Sequence, residues 1–139
     1  MSHLHSWIKT LMGSLDSEVD EEVRIRLLEN CGRNCIPRSF VEKVKELRKD
    51  SKDLDEFLDK LGEVWPHLER DGDEVYAVYD RCYCPLVEDH PDKLSRSFCY
   101  CSRGWLKELF ESALKRPVEV ELLKSIRQGD DTCRFRVVL

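Results

Sequence analysis

Long apolar runs are missing from this sequence. None approaches the ~18 consecutive residues that span a bilayer. The opening stretch MSHLHSWIKTLMGSLDSEVDEE has neither the basic start nor the apolar centre of a secretory leader. The expected location is therefore the cytoplasm, with no membrane partner. An excess of positive charge is missing too. With 23 Lys and Arg against 28 Asp and Glu, the net charge is −5, the wrong sign for a general nucleic-acid binder. No repeat of solenoid length and no low-complexity linker interrupts the 139 residues, a length that fits one compact domain. The doubled C-x-x-C of zinc ribbons is absent, as is any nucleophile–base signature.

What the sequence has is cysteine: seven of them, an odd number that excludes complete internal pairing. In a reducing compartment, closely spaced cysteines point to metal or redox chemistry rather than to disulfides. Six fall in pairs: Cys31 and Cys35 in NCGRNC, Cys82 and Cys84 in RCYCPLV, Cys99 and Cys101 in FCYCSRGW. Residues two apart on a strand face the same side. Each C-Y-C, read as extended chain, therefore presents both sulfurs together and turns its tyrosine away. Cys101 precedes Ser102, the expected cap of a helix whose positive end would favour a thiolate. Gly32 reads as a helix stop, which puts Cys31 at the end of that helix and Cys35 in the loop beyond.

Tetrahedral zinc takes four ligands, so any two pairs would fill one site. Cys31, Cys35, Cys82, Cys84, Cys99 and Cys101 are the candidate ligands, with zinc as the expected metal. Two alternatives stand beside it. The Cys84–Pro85 dipeptide is like the end of some iron–sulfur cluster motifs, although the C-x-x-C-x-x-C run is lacking. Cysteines are also ordinary small buried hydrophobes or reactive thiols. Cys133, at an inward strand position, reads as core packing. Among the histidines, His3 and His5 read as solvated, His67 as a loop residue and His90 as a further candidate ligand. Arg33 reads as solvated or helix-capping, with a carboxylate ligand as its alternative target.

The expected fold class is α+β: N-terminal helices over residues 1–64, then an antiparallel sheet of about four strands with one long helix packed on it over 65–139. A short amphipathic stretch runs from His3 to Met12. Ser17 with Asp20 forms a capping signature for a helix carrying Val19, Val23, Leu27 and Leu28. Pro37 and Ser39 open a second helix with Phe40, Val41, Val44 and Leu47 on one face. Asp53 caps a third, with Leu54, Phe57, Leu58 and Leu61 inward and Gly62 at its end. A D-G turn precedes a long Val/Tyr-rich strand running toward Cys84. Leu106, Leu109, Phe110 and Ala113 mark the long helix, ended before Pro117. VEVELL and TCRFRVVL form the last hairpin, with Cys133, Phe135, Val137 and Leu139 on one face. Residues 1–92 carry 13 basic against 22 acidic side chains and residues 93–139 carry 10 against 6. That asymmetry fits halves that complement each other within the fold or across a homodimer, with a patch for an anionic ligand as the alternative.

CGRNC, CYCPLV, CYCSRGW and PVEVELLKSIRQGDDTCRFRV together resemble an uncharacterised, cysteine-rich prokaryotic family. More distantly they resemble the L-2-amino-thiazoline-4-carboxylate hydrolase-like proteins and the 4-vinyl reductase domain, with the shared ending G-x-x-x-C-x-F at Gly129, Cys133 and Phe135. The resemblance covers residues 30–35 and 80–139. It implies a fold of the kind seen in trafficking-complex subunits and haem-based gas sensors, with a pocket between helices and sheet. It implies binding of a small hydrophobic or heterocyclic molecule more firmly than it implies catalysis. The expected function is thus a metal-containing, non-catalytic binding or sensor domain. A hydrolase of a small heterocycle is the alternative, with Cys82, Cys84, Cys99 or Cys101 as nucleophile and Asp80, Asp89 or His90 as base.

Overall fold

A computed structural model describes residues 3–81, 83–84 and 95–139. Four helices come first: α1 (His3–Glu18), α2 (Glu21–Cys35), α3 (Arg38–Lys49) and α4 (Leu54–Val64). A hairpin follows, β1 (Leu68–Asp71) and β2 (Glu74–Tyr79). The long helix α5 (Tyr100–Leu114) leads into β3 (Glu119–Lys124) and β4 (Cys133–Val138). The architecture is α+β, as the sequence pattern implies. None of the described helices is long and apolar enough to cross a membrane.

Local chemistry accounts for most of the boundaries. The Asp20 carboxylate accepts from the Glu22 and Val23 amides at 3.0 and 3.4 Å, so Asp20 rather than Ser17 caps α2. Ser17 belongs to the last turn of α1, where its hydroxyl donates to the Ser14 carbonyl. Asp53 caps α4 by accepting from the Glu56 amide at 2.9 Å. That helix runs through Gly62 to Val64, past the expected stop. Gly72, at φ 61°, supplies the left-handed turn between β1 and β2. Lys115, at φ 57°, ends α5 two residues before Pro117.

The sheet is antiparallel throughout, in the order β1-β2-β4-β3. Ala77 and Leu122 both lie opposite Phe135, which makes β4 the central spine. Alternation puts Val75, Ala77, Val120, Phe135 and Val137 on one buried face. That face meets Leu106, Leu109, Phe110 and Ala113 of α5, and Val44 and Phe57 from α3 and α4 complete the core. Each Val, Leu or Phe among them, fully buried, contributes about 1.5–3 kcal/mol relative to exposure. The opposite face is polar: the Arg134 guanidinium lies 4.1 Å from the Tyr76 ring centre, and Arg136 pairs with Glu121 at 3.0 Å.

Helix α5 also packs along α2, and here the two backbones touch. A Cβ on Gly32 of α2 would lie 1.7 Å from the Cys101 carbonyl oxygen; one on Gly104 of α5 would lie 2.0 Å from that of Glu29. Gly32 is therefore not a helix stop. It sits buried inside α2 because only a glycine permits this approach, and Cys31 and Cys35 both belong to the helix. Ion pairs lace the same seam. Glu29, 7% exposed, holds Lys107 at 2.7 Å and Arg103 at 3.2 Å, while Arg33 spans Glu108 and Glu111 at 3.3 and 2.9 Å. Arg33, partly exposed in the last turn of α2, thus ties α2 to α5. The acidic front and basic back of the chain meet here in part, at Glu29 with Arg103 and Lys107.

Candidate functional site

The second C-Y-C is helical, not extended. Arg96–Cys99 forms a 3-10 turn whose cap, Ser95, accepts from the Ser97 amide, and Tyr100 begins α5. Cys99 and Cys101 consequently do not share one side of a strand. In the first C-Y-C, Cys82 lies outside the described residues, as do Asp89 and His90. Strand β2 stops at Tyr79, short of both Tyr83 and Cys84. The two-residue spacing that invites a strand reading is overridden by the Ser95 cap and by the start of the α5 stripe.

Several of the described thiols nevertheless lie in one region of the fold. Cys101, in the first turn of α5, lies near enough to Cys84, Cys35, Cys31 and Cys99 for each to oppose a negative charge on it. Burial first, and those four thiols second, push the Cys101 thiol up to about 12. Desolvation therefore outweighs the helix N-terminus that would favour a thiolate. Cys31 and Cys35 are exposed, Cys84 and Cys101 half-buried and Cys99 buried. The Cys99 sulfur sits 2.9 Å from the Ser125 hydroxyl. Cys133 accepts from the Ile126 amide at 3.4 Å and packs on the core, in line with its strand position. Among the described residues, no three Cys, His, Asp or Glu side chains come close enough together to hold a metal ion.

Cys35, Cys84, Cys99, Cys101 and Cys133 all border one cavity of about 440 Å³. Its other lining is aromatic. Trp105 of α5 stacks on Trp65 at 6.0 Å between ring centres and meets Phe40 of α3 at the same distance. Trp65 continues to His67, and His67 to Tyr79 and Tyr83 at 4.5 and 5.0 Å. Tyr79 in turn meets Phe135 edge-on at 6.3 Å. Such ring pairs contribute about 0.5–1.5 kcal/mol each beyond area burial, and they hold the wall as one connected surface. Burial raises the Tyr79 hydroxyl pKa, with the Cys133 thiol adding to it, so this phenol stays protonated.

Charge around the cavity is one-sided. Arg81 and Arg127 line it, and among the described residues no Asp or Glu does. Asp80 instead borders a neighbouring, more open hollow of about 410 Å³, where it accepts from the Tyr83 hydroxyl and is thereby held below the usual carboxylate range. Cysteine spacing pointed to the thiols, and the aromatics around them were visible in part. His67, Arg127 and the Trp65–Trp105 stack carry no local signal; they meet only because the starts of β1 and α5 and the 126–128 turn lie at the same place.

Comparison with known proteins adds relationship without chemistry. Over 54 residues, 39% of this chain, the sequence is 35% identical to Uncharacterized protein MJ0745 of Methanocaldococcus jannaschii. The match spans 29% of that protein's length. Residues 2–139 match a family of unknown function, and with practically its whole length covered the chain belongs to that family, DUF6144.

Proposed function

We propose that this protein binds a small, flat, largely apolar molecule in the thiol- and aromatic-lined cavity, as a non-catalytic binding or sensor domain. The observation that carries this reading is the enclosure itself: a space of about 440 Å³ walled by Trp65, Trp105, Tyr79 and Phe135. Natural small-molecule sites share that combination of volume, apolar lining and a few placed polar groups. The distant likeness to the 4-vinyl reductase domain and the hydrolase-like proteins agrees with it at the level of fold, which does not transfer activity. The experiment is titration with the neutral aromatic N-phenyl-1-naphthylamine. Saturable one-to-one binding that Trp105→Ala weakens supports the reading; absence of saturable binding, or indifference to that substitution, removes it.

Thiolate-bound zinc is the second reading, favoured by the gathering of four thiols around Cys101. The described side chains do not by themselves form a coordination shell, so the binding role does not depend on the metal. Elemental analysis and a visible spectrum of protein purified without oxygen decide it. Stoichiometric, colourless zinc supports the second reading, a brown chromophore transfers it to an iron–sulfur cluster, and metal-free protein ends it. Hydrolysis is less well supported. A thiol with a pKa of about 12 is ionised in only about one molecule in 10⁵ at neutral pH, which makes Cys101 a poor nucleophile.

A further inference from the structure

Cys101 and Trp105 stand one turn apart on α5, so a sulfur and an indole ring share one face of that helix and border one cavity. Cys35 closes α2 and borders the same space, three residues beyond Gly32, whose backbone lies against the Cys101 carbonyl. The two sulfurs therefore hang from helices whose separation is set by peptide groups, and Cys35 is near enough to act on the charge of Cys101. Both are thiols rather than disulfides, Cys35 exposed and Cys101 half-buried. Cys84 borders the cavity too, but it belongs to no helix or strand, so its spacing from Cys101 is not set in that way. Phe40 and Trp65 flank Trp105 at 6.0 Å each and make an apolar wall beside the pair. Among the described residues, no trio of Cys, His, Asp or Glu gathers here to hold a metal ion.

An acceptor suited to this arrangement needs two sulfurs rather than three or four, and it carries an apolar ring. Thiols are soft ligands and select soft acceptors. We infer that the cavity takes an aromatic compound bearing trivalent arsenic, its ring against Trp65 and Trp105 and its arsenic bonded to the Cys35 and Cys101 sulfurs. The inference rests on the small-molecule reading above and adds the chemical class of the ligand. Carbon holds one valence of such an arsenic, so two thiols saturate it, whereas inorganic arsenite calls for three. The exchange balances without oxidant or reductant. Two As–O bonds of the arylarsonous acid break and two As–S bonds form; the two hydroxyls leave with the two thiol protons as water, and arsenic stays trivalent. Exposed Cys35 bonds first. Closure onto Cys101 is then intramolecular, and the fixed helix spacing raises its effective concentration. Burial keeps the Cys101 proton in place until arsenic displaces it.

Phenylarsine oxide, which hydrates to the arylarsonous acid, is the probe; arsenite and N-phenyl-1-naphthylamine are its comparisons. Intact mass of the full chain should show one adduct, heavier by the aryl–arsenic group less two hydrogens. In the wild-type protein that adduct should protect Cys35 but not Cys31 from iodoacetamide, and it should displace N-phenyl-1-naphthylamine. Cys35→Ser and Cys101→Ser should each weaken capture about a hundredfold or more. Trp105→Ala should weaken it about tenfold and leave arsenite unaffected. The wild-type footprint covers the case in which Cys101→Ser loses its near-ultraviolet dichroism. Protection of Cys31 together with Cys35 assigns capture to the exposed turn of α2 and overturns the inference. Arsenite bound as tightly as the arylarsenical, or capture unchanged in both serine variants, overturns it as well. Absence of any adduct while N-phenyl-1-naphthylamine still binds saturably overturns it and leaves the cavity reading standing. Failure of the naphthylamine to bind removes the cavity reading itself, and this inference with it.

Discussion

Helix α5 has two sides built on opposite principles. Toward α2, peptide backbones meet through Gly32 and Gly104, and charges are matched by Glu29 with Arg103 and Lys107 and by Arg33 with Glu108 and Glu111. Toward the sheet and residues 65–67, the first turns of the same helix present Cys101 and Trp105 to open space. The α2 side is closed in both volume and charge; the other leaves a cavity. The α2 side is backbone-tight, while the other combines the main apolar core with the space in which the proposed ligand would sit. Substitutions should accordingly divide into those that unfold the protein and those that leave it folded but change what it holds.

The sharpest way to break this contrast is at the glycines. Gly32→Ala or Gly104→Ala inserts a methyl group where backbone already lies, and each should cost about 3 kcal/mol or more in urea unfolding. A loss below 1 kcal/mol would mean the helices separate easily and the seam is not rigid. Next comes Glu29→Ala, which strands Arg103 and Lys107 at a largely buried seam and should cost about 2–3 kcal/mol. On the pocket side, Trp105→Ala should cost probe binding more than tenfold, with a smaller stability loss than either glycine variant.

Titration sharpens the same division. Burial alone would raise the Glu111 carboxyl. Hydrogen bonds from Arg33 and the Val118 amide, with the charges of Arg33 and Lys107, outweigh it and hold the group below its ordinary 4.5. A depressed carboxyl lends stability that is fully present above its unfolded value and is lost as pH falls through the folded one. Unfolding free energy should therefore decline below about pH 4.5, and Glu111→Gln should flatten that acid limb. The smallest expected effect is kinetic. Exposed Cys31 and Cys35 should alkylate with iodoacetamide at pH 8 well before Cys101, whose thiol stays protonated there. Equal rates would contradict the buried, mutually opposed thiols around Cys101.

Much of the scaffold can be read along the chain. The stripes of α3, α4 and α5, the Asp53 cap, the D-G turn and the β3–β4 alternation are local patterns, and each produces the element it implies. Gly32 was misread because a glycine carries the same letter whether it ends a helix or admits a neighbouring one; only the position of α5 decides. The strand reading of the second C-Y-C fails for a related reason. A spacing of two is a strand signal only where the backbone is extended, and Ser95 starts helical geometry before Cys99 is reached. Pairing leads one to expect a common thiol site; Cys31, Cys35, Cys84 and Cys99 lie near enough to Cys101 to act on its charge, but among the described residues no three candidate ligands come within reach of one metal ion, and Cys82 lies outside those residues. Arg127 was invisible, because a single arginine in a chain that is 37% charged announces nothing until its surroundings are known.

The contact between Gly32 and the Cys101 carbonyl has one more implication. Where peptide groups abut, the gap between two helices is gauged by backbone atoms, so trimming side chains cannot widen it. The edge of the cavity that carries Cys35 and Cys101 is thus fixed in dimension. Any redesign meant to admit a larger guest must carve from the facing side, at Trp65, Tyr79 or Phe135.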